Sequence, residues 1–71
     1  MSDIKFNRIK EVLDRKGIKQ VWLSEQLGKS YNMVNSYVAN RRQPSLEDLY
    51  KIADILGVEV KELLLDKKDL Q

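Results

Sequence analysis

Two groups of side chains in this sequence could do chemistry, and neither is built for catalysis. The first is a set of small amides and hydroxyls with one aromatic ring, Tyr31, Asn32, Asn35 and Ser36. On a helix, positions three and four apart are neighbours, so Asn32, Asn35 and Ser36 share one side. An asparagine amide can donate to and accept from an adenine edge at once, and a serine hydroxyl serves in either sense. A merely solvated helix would carry Glu, Lys or Gln there, because asparagine and serine are indifferent helix formers. The second is the pair Arg41 and Arg42, whose planar guanidinium groups can clamp a phosphate bidentately. The bland alternative is two solvated arginines. The chain has no histidine and no cysteine, which removes the usual nucleophilic, zinc and disulfide chemistry. It also shows no glycine-rich phosphate loop and no carboxylate pair on an evident cleft, so an enzyme, a metal site and a cofactor are not expected.

These residues need elements to carry them. Leu23 and Leu27 lie on one face of a short helix, and Val34 and Tyr37 on one face of the next. Ser24 is small and turned inward, where a larger side chain would hold the two helices apart. Gly28 follows Leu27, where a helix ends by placing one residue in the left-handed region. Ser30 then stands at an N-cap, its oxygen able to accept from the N–H of Asn32 or Met33. Two helices at a glycine corner are a helix-turn-helix, with the second helix running from Tyr31 to about Ala39. Met33 lies between the faces and could touch a thymine methyl or fill the core.

Elements on either side complete a bundle. Phe6, Ile9, Val12 and Leu13 make one face of a first helix, with Asn7 among the residues on its wet side, and Gly17 stops it before Ile18 returns to the core. Pro44 precedes Ser45-Leu46-Glu47-Asp48, which approximates a capping box. Leu46, Leu49, Ile52, Ala53 and Leu56 form the stripe of a fourth helix that ends at Gly57. A fifth segment from about Glu59 places Val60, Leu63 and Leu64 on one face, with Leu65 off it. Residues 1–5 read as a loose arm and residues 66–71 as a frayed charged tail.

Charge is distributed along the same lines. The formal net charge of +2 is spread unevenly: residues 15–42 carry six basic groups against Glu25 alone, 6 − 1 = +5, and residues 43–71 carry four basic against seven acidic, 4 − 7 = −3. Positive charge thus gathers around the helix-turn-helix, the footprint of a phosphate-binding face. A chain of 71 residues makes one domain. It has no apolar run resembling a signal or a membrane span, so a cytoplasmic protein is expected.

The spacing of Gln20, Leu23, Ser24, Leu27, Gly28, Val34 and Tyr37, followed by Asn40-Arg41-Arg42-Gln43-Pro44-Ser45-Leu46, resembles the Cro/CI-type (Xre-like) phage-repressor regulators. It departs from them twice. Lys29 stands where they usually carry an aliphatic residue, and Asn40 where they usually carry glycine. The resemblance implies an all-α, five-helix domain that binds double-stranded DNA, with helix 3 in the major groove and helix 2 across the backbone. Base readout would then fall to Tyr31, Asn32, Asn35 and Ser36. Phosphate contacts would fall to Lys19, Gln20, Lys29, Ser30, Asn40, Arg41 and Arg42. A homodimer on a near-palindromic operator would meet through Ile55, Val60 and Leu65. The resemblance also admits a restriction–modification controller or an antitoxin, and in the antitoxin case exposed Trp22, Ile55 and Leu65 would meet a protein partner. Otherwise Trp22 is expected to pack over the end of helix 1.

Overall fold

The structure, a computed structural model, describes residues 5–70, and the rest of the expected N-terminal arm lies outside them. Four helices occur among these residues: α1 Ile9–Lys16, α2 Gln20–Leu27, α3 Tyr31–Val38 and α4 Leu46–Leu56. Short helices like these are marginal alone and persist by burying one face. Ile9, Val12 and Leu13 from α1, Leu23 from α2, Val34, Tyr37 and Val38 from α3, and Leu49, Ile52, Ala53 and Leu56 from α4 meet in one core with Leu63. α2 packs against both α3 and α4, and α1 against α3. Ser24 is buried in the α2 layer, its Oγ donating to the Val21 carbonyl at 2.7 Å. This small, internally satisfied side chain fills the position where bulk would part the helices.

The expected fifth helix is a single 3-10 turn, Val60–Leu63. Leu64 leaves it in an extended conformation and bridges Asn7 in antiparallel fashion. The Arg8 N–H donates to the Leu63 carbonyl at 2.8 Å, and the Leu65 N–H to the Phe6 carbonyl at 3.0 Å. Runs of 3-10 helix beyond a turn are uncommon, and here the cross-chain pairing takes the backbone groups a longer helix would need. A capping box closes the turn: the Glu59 N–H donates to Glu62 Oε2 at 3.0 Å. That bond, with Arg15 beside it, holds the Glu62 carboxyl below the usual carboxylate range. Lys67–Leu70 forms a further 3-10 turn where a frayed tail was expected.

Several side chains sit differently from their expected places. Phe6 precedes α1 and is exposed, because the Ile9 N–H is capped by Asn7 Oδ1 at 3.0 Å and the helix starts only there. Asn7, expected in water, is 2% exposed. Leu46 is 69% exposed, since no element covers its face at the leading end of α4. Leu64, expected beside Leu63, is turned outward by the bridge, while Leu65 is half-buried.

Candidate nucleic-acid interface

The α2–α3 corner is fixed by its backbone. Gly28 has φ 74°, and the N–H groups of Gly28 and Lys29 close back onto the Glu25 and Ser24 carbonyls at 3.3 and 3.1 Å. This pattern is a Schellman cap. Two residues later Ser30 turns extended, and its Oγ accepts from the Met33 N–H at 3.1 Å. Among the described residues the Ser30 hydroxyl donates to no partner.

On α3, Val34, Tyr37 and Val38 are buried, so the opposite face is the one presented. Tyr31 and Asn32 are exposed on the first turn. Asn35 and Ser36 are half-buried and already engaged. Gln20 Nε2 donates to Asn35 Oδ1 at 3.0 Å, which ties the start of α2 to the middle of α3. Ser36 Oγ donates to the Met33 carbonyl at 2.6 Å. The four expected readers therefore come together on one face, with the two N-terminal ones the freer.

Cations lie to both sides of that face. Lys19 is exposed in the residue before α2. Arg41 and Arg42 are exposed beyond α3, and both their N–H groups donate to the Ser36 carbonyl, at 2.9 and 3.2 Å. Neither arginine forms an ion pair among the described residues. Lys29 does: its Nζ is 3.3 Å from Asp48 Oδ2 on α4.

Asn40 has φ 62°, the left-handed conformation that asparagine tolerates best after glycine. The expectation that it touches phosphate meets an obstacle, because its side chain is turned inward. Oδ1 accepts the N–H groups of Phe6 and Asn7 at 2.9 and 3.1 Å and Gln43 Nε2 at 3.0 Å, while Nδ2 donates to the Asn7 carbonyl at 3.0 Å. Asn7 completes the network, its Nδ2 donating to the Tyr37 carbonyl at 3.1 Å and to Gln43 Oε1 at 2.7 Å. Asn7 and Gln43 thus hold the arginine loop in place. Sequence reasoning missed them because these partners lie 30 and 36 residues from Asn7 along the chain.

The approximate capping box at Ser45 is only half made. Ser45 Oγ accepts the Asp48 N–H at 3.1 Å, but the Asp48 carboxylate turns away to Tyr37 and Lys29. Trp22 is 41% exposed beside Gly17, Ile18 and Val21, so its expected packing over the end of α1 is only partial. Ile55 and Val60, expected at a dimer contact, are partly buried against the core.

The matched family model is that of a helix-turn-helix, and it covers residues 9–63. A protein from Bacteroides fragilis proposed to bind DNA shares 44% identity over 83% of this chain and 95% of its own, with a TM-score of 0.81. The restriction-modification controller protein C.AhdI from Aeromonas hydrophila shares 30% identity over 80% of this chain and 86% of its own, TM-score 0.73. The N-terminal DNA binding domain of SinR from Bacillus subtilis shares 33% identity over 84% and 88%, TM-score 0.70. No match is found among curated proteins. With its glycine corner, its serine-capped third helix and these relatives, the chain belongs to the Cro/CI-type (Xre-like) helix-turn-helix family and has the fold of its DNA-binding transcription regulators.

Proposed function

We propose that the protein is a sequence-specific double-stranded DNA-binding repressor that reads the major groove with α3. One observation carries this reading: the outward face of α3 is polar and uncharged, and exposed cations flank it, Lys19 just before α2 and Arg41 and Arg42 just beyond α3. That arrangement matches the division between base readout and phosphate positioning. Tyr31 and Asn32 read first, being at the N-terminal end that approaches bases most closely. Asn35 and Ser36 take the neighbouring edges. Lys19, Gln20, the Ser30 hydroxyl, Arg41 and Arg42 position the backbone.

One such helix spans only a few base pairs, so two copies on half-sites ~34 Å apart are required for useful specificity. The second copy joins through partly buried Ile55, Val60 and Leu65, with exposed Leu64 and Phe6 where residues 6–8 pair with 63–65. Symmetry then makes the operator near-palindromic. The protein acts in the cytoplasm of a bacterium, on chromosomal or phage DNA. A restriction–modification controller is the second reading, favoured by the likeness to C.AhdI. An antitoxin's protein-facing surface would use Trp22, the largest exposed apolar side chain on α2.

Selection of bound duplexes from a random pool tests the proposal. Enrichment of a two-fold site with half-sites one turn apart is expected. Retention of duplexes with no shared sequence would contradict it.

A further inference from the structure

Lys29 occupies the turn whose geometry decides how α3 is presented. Its ammonium lies 3.3 Å from Asp48 Oδ2, and the buried Tyr37 donates its hydroxyl to the same oxygen at 3.4 Å. The Asp48 side chain is only 14% exposed, and that of Lys29 36%. One carboxylate therefore joins the α2–α3 turn, the body of α3 and the first turn of α4. The position of Asp48 near the start of α4 suits its charge, because the helix dipole favours an anion there. At the Gly17 and Gly57 caps the next residue is an apolar anchor: Ile18 and Val58 both pack on the core. At Gly28 the corresponding residue is Lys29, so an ion pair does the anchoring.

We propose that Lys29 is a positioning residue: paired with Asp48, it pins the turn to α4 and fixes the angle at which Ser30, Tyr31 and Asn32 meet the duplex. It is not a phosphate contact. A phosphate close to this ammonium would also lie close to the Asp48 carboxylate, and a lysine already neutralised by a neighbour releases no counterion on binding. The inference rests on the DNA-reading function proposed above.

The test uses the full chain and the duplex recovered by selection, with Lys29→Met, Asp48→Asn, the double variant and Lys29→Arg. Affinity is measured across a salt series and against single-base variants of the site. Lys29→Met and Asp48→Asn are each expected to weaken binding by up to about fivefold, the worth of a partly exposed ion pair. The salt slope stays at the wild-type value, and preference weakens at the base pair facing Asn32. The double variant loses no more than either single one, and Lys29→Arg restores binding. A slope shallower by about one unit in Lys29→Met, with Asp48→Asn binding more tightly, would make Lys29 a phosphate contact and overturn the proposal. Unchanged affinity and preference in every variant would overturn it as well. Urea unfolding of the same four proteins without DNA separates this result from a failure of the DNA reading. Additive effects of the two single substitutions on stability would show no coupling and overturn the pin, whether or not any duplex binds.

Discussion

The chain ends a helix in the same way four times, and the side chain just beyond each cap divides the molecule in two. After α1 and α4, the caps at Gly17 and Gly57 lead into Ile18 and Val58, whose N–H groups close back onto Leu13 and Ala53 at 2.9 and 3.0 Å and whose side chains pack on the core. After α2 and α3, the caps at Gly28 and Asn40 lead into Lys29 and Arg41, which close onto Ser24 and Ser36 at 3.1 and 2.9 Å. The backbone device is the same, but the next side chain is apolar in the supporting pair and cationic in the pair that frames α3. A Schellman cap normally adds an apolar contact from this position. The α2 and α3 endings give that contact up and gain charge at the surface. They then need other ties: Asp48 for Lys29, and the Asn7–Asn40–Gln43 network for the arginine loop.

The sharpest way to break the contrast is to remove that network. Asn7→Ala leaves the buried Ile9 N–H without its acceptor and takes one of two donors from the Tyr37 carbonyl, which keeps the Asn40 N–H at 3.1 Å, at up to about 3 kcal/mol. The loss should appear as a lower urea midpoint with an unchanged slope. A midpoint close to wild type would mean that the network does not hold the loop.

Exchanging the character of the residue after the cap should separate the two pairs. Ile18→Lys removes a partly buried anchor and should lose about 2 kcal/mol, whereas Arg41→Ile should stay within about 0.5 kcal/mol of wild type. Equal losses would erase the distinction between support and interface.

At the turn itself, a Cβ on Gly28 would meet no atom within 4 Å, so any penalty comes from φ alone. Gly28→Val should therefore lower stability by about 1–2 kcal/mol, and Gly28→Asn by clearly less, as Asn40 already occupies this conformation. A valine variant melting with wild type would contradict the left-handed turn.

The smallest expected effect is electrostatic. Arg41→Ala or Arg42→Ala should weaken every duplex alike and flatten the salt slope by about one unit each. A relaxed base preference at constant slope would move the arginines from positioning to readout.

The legible parts of the fold were those written locally. Ser30 and Ser45 as caps, Gly28 as the corner and the inward stripes of α2 and α3 all come from spacing within one or two turns. The burial of Asn7 did not, because its amide is satisfied by Tyr37 and Gln43, across the fold. Phe6 was misplaced for the same reason, since the helical rhythm continues through it while the backbone pairs elsewhere. Leu46 fits its stripe by number and still has nothing above it. The fifth helix failed because apolar residues at Val60, Leu63 and Leu64 suit one turn as well as several, and pairing with residues 6–8 decides between them. At the interface, residue types indicated the face of α3 but not which groups were already engaged. Lys29 and Asn40 were legible as departures from the family pattern, and their partners only in three dimensions.

The central claim is that α3 reads bases and that Asn32 leads the reading. Binding of Asn32→Ala to the selected site and to its single-base variants at each half-site position tests it most directly. The account predicts a loss of ~1–3 kcal/mol on the preferred site, a relaxed preference at one A·T pair, and little change on non-specific DNA, because no charge is removed. An unaltered preference profile, with only a less stable helix, would remove Asn32 from the reading face and contradict the account.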